Sequence, residues 1–363
     1  MTFFEPMVRR IFARQPWGEY TQQKLSPHSR KLNMIRFDHT SKALMLAAVF
    51  LPLLGLYGCR PLASSQKAAT ADLSQVTVVL GDQAGGTRAL VEAANALEGV
   101  PYKYKWASFQ GAAPLFEALR GGAVDTAPAG DLPVLAASVG KTPLKILATR
   151  VGSGEALGIL VHADSPIKRV ADLKGKTVVV SSARGSVSQY QLYGALKEAG
   201  LKRSDVTVKF VLPTDASAAF SSKSIQVWAT FDPYFYVGQQ NGGRVLRDGK
   251  GINSALSFIT ASDKALADPG KRAAITDFLK RLSKANDWAI ANPDAYAQVY
   301  AKISRLPLST SKSITQRAAR ELRPVSDEDI RKLQTVADRS YQDEILPTRI
   351  EVRSITKQNI WSK

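Results

Sequence analysis

The 363-residue sequence predicts two α/β lobes joined by a two-strand hinge, with a ligand cleft between them. Three observations lead there. Short β-branched runs alternate with helical periods, the pattern of a parallel sheet covered by helices. That alternation runs once, pauses at two successive strand patterns, and then restarts. The length suits roughly two domains at ~100–200 residues each.

In order, "VTVVL" (76–80) reads as a buried strand, and "GDQAGGTRALVEAANALEG" turns into a helix with Leu90, Ala93, Ala94 and Leu97 on one face. Then come "YKYKWASF" as strand, "GAAPLFEALRGG" as helix, "AVDTAPAG" as short strand and loop, and "DLPVLAASVG" as helix. The strands "LKILATRV" and "EALGILVHA" follow. The second set comprises "KTVVVSS", "SVSQYQLYGALKEAG", "VTVKFVLP", "DASAAFSS", "IQVWATF", "DPYFYVGQQNGG" and "RVLRDG". After it "LSFITAS" (256–262) is a strand, and the chain to about Ser340 is helical, its longest helix ending at Pro293. Antiparallel strands near Glu155–His162 and Leu256–Thr260 form the expected hinge. This puts residues 76–160 and 256–363 in lobe 1 and residues 161–255 in lobe 2.

The N-terminal region reads differently. "ALMLAAVFLPLLGLYG" (43–58) is uncharged and follows Arg36 and Lys42. It is shorter than the ~20 residues that span a bilayer, so residues 34–58 read as an export signal. Residues 1–33 show no core pattern, and translation from Met34 is the expectation; a cytoplasmic extension on a membrane anchor is the alternative. Leu56, Tyr57, Gly58 and Cys59 resemble a bacterial lipobox, which would make Cys59 an acylated N-terminus. Tyr57 is bulky for its place, and ordinary cleavage near Ala63–Ala71 is the other route. Residues 59–75, small and polar from Ser64, are a tether.

Cys59 is the only cysteine, so no intrachain disulfide forms and stability rests on the core. The formal charge is +18, of which residues 1–33 carry +4 and residues 34–58 carry +1, leaving +13 on the rest. Such a balance favours an anionic ligand or membrane surface. No basic run is interleaved with aromatics, which argues against nucleic acid. Beyond residue 58 only His162 remains among the histidines, which excludes a histidine- or cysteine-based metal site and leaves a Ser-His-Asp triad without a nucleophile elbow. No cofactor is implied, and the chain is expected not to be an enzyme.

Ligands of open α/β sheets sit beyond the carboxyl ends of strands, at helix N-termini. "GDQAGGT" (81–87) is such a loop, although it matches neither a Walker loop nor a dinucleotide fingerprint. "SSARGSVSQY" (181–190) repeats the idea, with Arg184, Gly185, Ser186 and Ser188; its serines serve equally as caps. "WATFDPYFYV" (228–237) places Asp232 at a helix start among Trp228, Phe231, Tyr234 and Tyr236. "ASFQGAAP" adds Phe109 and Gln110, and "PAGDLP" adds Gly130 and Asp131, the latter read as a cap.

From Val76 to Trp361 the sequence resembles the aliphatic-sulfonate-binding proteins of bacterial ABC importers, within the nitrate, sulfonate, taurine and bicarbonate family. The carrying segments are "LFEALRGGAVDTAPAGDLPVLAAS", "ILVHADSPIKRVADLKGKTVVV", "LKEAGLKRSDV", "LPTDASAAF" before "VWATFDPYF", "GGRVLRDG" and "ILPTRIEVRSITKQNIW". The resemblance implies a type II periplasmic binding protein fold, a monomer that captures organosulfonates for sulfur acquisition and docks on a permease with its ATPase. It maps the pocket onto Gln83, Gly85, Gly86, Thr87, Gly130, Asp131, Gly185, Ser186, Ser188 and Asp232. Three positions depart from the family pattern: Ala84 for a lysine, Ser108 for an acid and Phe231 for a tryptophan. Arg184 or Arg88 would offset the lost lysine. A larger or aromatic sulfonate, a sulfate ester, nitrate, taurine or a thiamine precursor therefore stays open, as does a cytoplasmic enzyme on the same fold.

Overall fold

The structure, a computed structural model, describes residues 72–318 and 321–363. The extension, the export signal, Cys59 and most of the tether lie outside the described residues.

Lobe 1 begins with β1 (Thr77–Gln83), α1 (Gly86–Ala93), β2 (Lys103–Phe109), α2 (Ala112–Arg120), β3 (Thr126–Gly130), α3 (Asp131–Val139) and β4 (Leu144–Val151). Lobe 2 holds β5 (Leu157–His162), β6 (Thr177–Val180), α4 (Val187–Glu198), β7 (Thr207–Phe210), α5 (Pro213–Ser221), β8 (Val227–Phe231), α6 (Tyr234–Gln240) and β9 (Gly243–Asp248). The chain then returns to lobe 1 with β10 (Leu256–Ser262), α7 (Asp263–Ala267), α8 (Pro269–Ala291), α9 (Pro293–Ser304), α10 (Leu308–Ala318), β11 (Leu322–Pro324) and α11 (Asp327–Gln342).

Sheet 1 has the order β11-β4-β10-β3-β1-β2 and sheet 2 the order β7-β6-β8-β5-β9. The expectation of parallel sheets holds only in part. β1 pairs parallel with β2 and β3, but β10 inserts antiparallel between β3 and β4, because it enters lobe 1 from the opposite lobe. In sheet 2, β6 runs parallel to β7 and β8, whereas β5 runs antiparallel to β8 and β9.

The lobe boundary also shifts. Leu157–Val161 pair with Phe231–Val227, so β5 lies wholly in sheet 2 rather than crossing near residue 160. The two crossings are residues 152–156 and 249–255. They run side by side, with the Gly152 amide donating to the Ala255 carbonyl at 2.6 Å. Gly154 has φ +78°, and a Cβ there would sit 3.2 Å from the Gly249 carbonyl. The left-handed conformation and that close approach both call for glycine.

Buried side chains cover both faces of each sheet. One cluster runs from Leu132, Leu135 and Phe258 in lobe 1 to Tyr190, Val178 and Ala229 in lobe 2, so the lobes are in contact. A second lies behind sheet 1 around Phe278, Leu279 and Tyr300, and a third behind sheet 2 around Phe220, Trp228 and Phe235. The C-terminal segment, irregular as expected, ends with Trp361 5% exposed and its indole donating to the Leu147 carbonyl at 2.9 Å. Replacing Trp361 by alanine removes a large buried ring and is expected to cost about 3–5 kcal/mol, read as a lower urea midpoint at unchanged slope.

Candidate functional site

A cavity of about 310 Å³ lies between the lobes. Gln83 at the end of β1, Gly130 and Asp131 at the β3–α3 junction, and Arg150 near the end of β4 come from lobe 1. Ser182 and Ser186 before α4, with Phe231 at the end of β8 and Asp232 just after it, come from lobe 2, and Arg317 reaches in from α10.

The first loop is organised inward. The Asp82 carboxylate accepts from the Thr87 amide at 2.8 Å and the Arg88 amide at 3.2 Å, so it caps α1 itself. The sequence reading aimed this helix end at a ligand; the donors of Thr87 and Arg88 are already engaged. Gly85 supplies the left-handed cap at φ +78°. Gly86 meets Arg150 only in a small void of about 50 Å³ behind the main cavity. Gln83 alone of this loop lines the cleft, with one amide hydrogen on the Pro128 carbonyl. Phe109 packs partly buried against the core, and its carbonyl accepts from the Ala84 amide.

Arg150 stands out. It lines the cleft, and its Nε and Nη2 are inaccessible to solvent and have no hydrogen-bond partner among the described residues. Burial pulls its pKa below the usual arginine range, while Tyr296 and the Asp82 carboxylate pull it back. An unpaired buried guanidinium is costly, and an anion is its natural complement. Asp131 is buried and committed: it accepts from the Ser254 hydroxyl at 2.6 Å and the Leu132 amide at 2.7 Å. As the first residue of α3, whose N-cap is Gly130, it ties lobe 1 to the second crossing, and burial raises its pKa.

In lobe 2, Ser186 caps α4 by accepting from the Gln189 amide at 3.3 Å, and the Gly185 amide donates to the Gln189 side chain at 2.7 Å. Ser188 is fully buried with its hydroxyl unpartnered and does not line the cleft. Arg184 is exposed and faces a neighbouring depression. Trp228 is likewise removed from the ligand space. It is 0% exposed, and its indole donates to the Ser181 hydroxyl at 2.9 Å, bracing the serine loop from beneath. Strand alternation explains this: Trp228 faces the third cluster, whereas Phe231 at the strand end reaches the cleft.

The lobes meet through α10 and α6. Arg317 forms an ion pair with Asp232 at 2.8 Å and lies 4.9 Å over the Tyr236 ring, and the Tyr236 hydroxyl donates to Ser313 at 2.8 Å. Asp232 also accepts from the Tyr236 amide at 3.1 Å. His162 is structural, stacked on Phe220 at 4.2 Å with Nε2 on the Ile225 carbonyl. Among the described residues no cluster of acids, histidines or cysteines could hold a metal.

Of the residues expected in the pocket, Gln83, Gly130, Asp131, Ser186 and Asp232 are brought together. Gly85, Gly86, Thr87, Phe109, Arg184, Gly185, Ser188 and Trp228 stand outside its lining. Sequence reasoning missed Arg150, Ser182, Asn253 and Arg317. A charge inside "LKILATRV" was a usable signal for Arg150; the position of Arg317 in a polar helix carried none.

Residues 111–296 match the family model described as NMT1/THI5 like. Over 261 residues the chain is 33% identical to a protein of Escherichia coli (strain K12) named an aliphatic sulfonates-binding protein, covering 71% of this chain and 79% of that one. It is similar to the alkanesulfonate-binding protein of Xanthomonas axonopodis pv. citri, solved with MOPS bound, at 26% identity and TM-score 0.72, covering 77% and 98% of the two chains. The periplasmic aliphatic sulphonate binding protein of Escherichia coli aligns at 31% identity and TM-score 0.68, covering 78% and 92%.

Burial raises the Asp232 carboxyl to about 7, against the opposing pull of Arg317 and the Tyr236 amide. An unfolded aspartate titrates near ~3.9, so between these values the folded chain keeps a proton that the unfolded chain has lost. Stability therefore falls as pH rises through that window and levels above about 7, with a slope from this group of at most about 1.4 kcal/mol per pH unit. Urea unfolding at several pH values is expected to show this component in the native chain and not in Asp232→Asn.

Proposed function

Since the chain belongs to the NMT1/THI5-like family of solute-binding proteins, we propose that it is exported, captures an organosulfonate between its lobes and delivers it to an ABC importer for sulfur acquisition. The observation that carries this reading is Arg150, a buried guanidinium that lines the interlobe cavity and whose Nε and Nη2 have no hydrogen-bond partner among the described residues. A sulfonate is anionic at any physiological pH and accepts hydrogen bonds without offering any, so donors suit it. The Ser186 hydroxyl, which accepts from its helix, has its own hydrogen free for a ligand. Ser182 and the second amide hydrogen of Gln83 complete a donor-rich wall.

Val151, Leu157, Phe231 and Leu256 supply apolar contact beside these donors, suited to the organic part of the ligand. The amine of taurine finds less: Asp131 is held by Ser254 and Asp232 by Arg317. The relatives named for sulfonates support the substrate class, and the relative named periplasmic supports export. In this reading no residue does covalent chemistry.

A thermal-shift screen of methane-, ethane- and butanesulfonate, taurine, nitrate and sulfate is expected to raise the melting temperature with the alkanesulfonates. At a hundredfold excess over Kd the stabilisation is ~2.7 kcal/mol. Arg150→Ala is expected to lose that response, and Arg150→Lys, which keeps the charge without the planar fork, to lose most of it. A flat response of the native chain to every sulfonate would overturn the reading. For export, intact-mass spectrometry of protein from its host is expected to show a chain that has lost residues 1–58, beginning either at Cys59 with acyl mass added or, after ordinary cleavage, near Ala63–Ala71; a chain that keeps residues 34–58 would contradict this.

A further inference from the structure

Inside lobe 1 lies a small hollow of about 50 Å³. Gly86 and Leu90 of α1, Asn286 of α8, Tyr296 of α9, Arg150 of β4 and Ala318 of α10 line it. It shares only Arg150 and Ala318 with the cavity between the lobes, so one guanidinium stands between two hollows. Its whole lining comes from lobe 1, so it does not depend on how the lobes are set against each other.

The chemistry of this lining is one-sided. Its side-chain polar groups are a guanidinium, a phenol and an amide, and no carboxylate is among them. Arg150 has no hydrogen-bond partner for Nε or Nη2 among the described residues. Asp82 supports it from a distance, but that carboxylate is turned to the α1 amides and does not line the hollow. Burial pushes the Tyr296 phenol up to about 12, against the pull of Arg150, so it keeps its proton at physiological pH and acts as a donor. The acceptor it meets, the Gly86 carbonyl, stands at 3.4 Å, beyond the ~2.5–3.0 Å of a good O–H···O bond. Asn286 and Tyr296 are 1% and 4% exposed, so bulk water does not serve them.

We infer that this hollow is a halide site, in which a chloride ion is held by the Arg150 guanidinium, the Tyr296 hydroxyl and the Asn286 amide and acts as the counter-ion of Arg150 while the cleft has no ligand. A spherical anion needs donors and asks little of their angles, which suits three groups gathered from three separate elements. Size points the same way: a buried water takes ~10–15 Å³ of such space, so the hollow suits a monatomic anion with a water or two and not an organic sulfonate. Two anions that share one guanidinium repel each other, so chloride and the ligand of the cleft each lower the other's affinity by the same factor. That coupling rests on the sulfonate reading above; the halide site itself does not.

The test begins with crystals of the ligand-free protein grown in sodium bromide, with no sulfonic acid in the buffer. An anomalous bromide peak is expected among Arg150, Asn286 and Tyr296. Water alone in the hollow, or bromide only in the interlobe cavity, would overturn the site without reference to any variant. In solution, the melting temperature is expected to rise with chloride up to about 200 mM at constant ionic strength, gluconate making up the difference. Tyr296→Phe, which removes one donor and keeps the ring, is expected to lose most of that rise; an equal rise in the variant would count against the site. Over the same range the Kd of ethanesulfonate is expected to increase about fivefold in the native chain and little in Tyr296→Phe. A bromide peak in the hollow of a protein that binds no sulfonate would bring down the sulfonate reading alone, and tight sulfonate binding indifferent to chloride, with no bromide in the hollow, the halide site alone.

Discussion

Everything in this architecture hangs on the chain passing between the lobes twice and at one place. The Gly152 amide on the Ala255 carbonyl, with Gly154 lying against Gly249, brings the two passages together as closely as backbones can lie. Two consequences follow. The returning strand β10 enters sheet 1 against the direction of its neighbours, which is why a chain written as alternating strands and helices yields mixed sheets. Lobe 1 is also discontinuous, so α10, far along the chain, is delivered back to the cleft and closes on α6. Asp131 reinforces the same point, since its bonds to Ser254 fasten the first turn of α3 to the second passage.

The cleft's electrostatics follow from this closure. Asp82, Asp131 and Asp232 are all raised by burial, and Arg150 is lowered by it. The carboxylates answer that cost with specific partners: the α1 amides, Ser254 and Arg317 respectively. Arg150 receives long-range support from Asp82 but no hydrogen bond to its Nε or Nη2. Breaking a buried charge pair is costly because it leaves one charge uncompensated, and in the proposed reading Arg150, supported only at long range by Asp82, comes close to that position until an anion arrives. In the proposed reading the preference of the cleft for an anion comes from one missing partner more than from the net charge of the chain, because exposed charges are screened by solvent.

Much of the fold was legible because it rests on local periodicity. The strand–helix order, the restart at "KTVVVSS" and the long helix ended by Pro293 are all read from hydrophobic spacing and turn residues. β11 was not, since three residues at a sheet edge make no pattern, and its pairing with Arg150 is set by distant chain. The site was legible in part for the same reason. Loops after strands announce themselves, and Gln83, Gly130, Ser186 and Asp232 were found that way. What sequence does not reveal is which donors are already spent. The amides of "GDQAGGT" look free in sequence, and only the fold shows Asp82 turned back upon them. Trp228 and Phe231 are three residues apart in one strand, and the fold alone decides which lines the cleft.

The contacts that span the lobes differ in strength, and that difference bears on how occupancy is sensed. Thr214 meets Gln110 at 2.6 Å, and Arg203 meets the Asp343 carbonyl at 2.9 Å and the Glu344 carboxylate, all on exposed surface. Exposed pairs of this kind are worth ~0–1 kcal/mol each. The Asp232–Arg317 pair is better shielded, yet Asp232 gives back much of its gain in desolvation, as its raised pKa records. Such contacts orient the lobes without committing an empty protein to the closed form. To move a two-state equilibrium from 1:99 to 99:1 takes ~5.5 kcal/mol of differential binding. In the proposed reading that energy comes from the ligand, through Arg150 on one lobe and Ser186 on the other. In the same reading the sulfonate bridges the two lobes only when the cleft is shut, and a permease that recognised the closed outline would be reading the ligand indirectly.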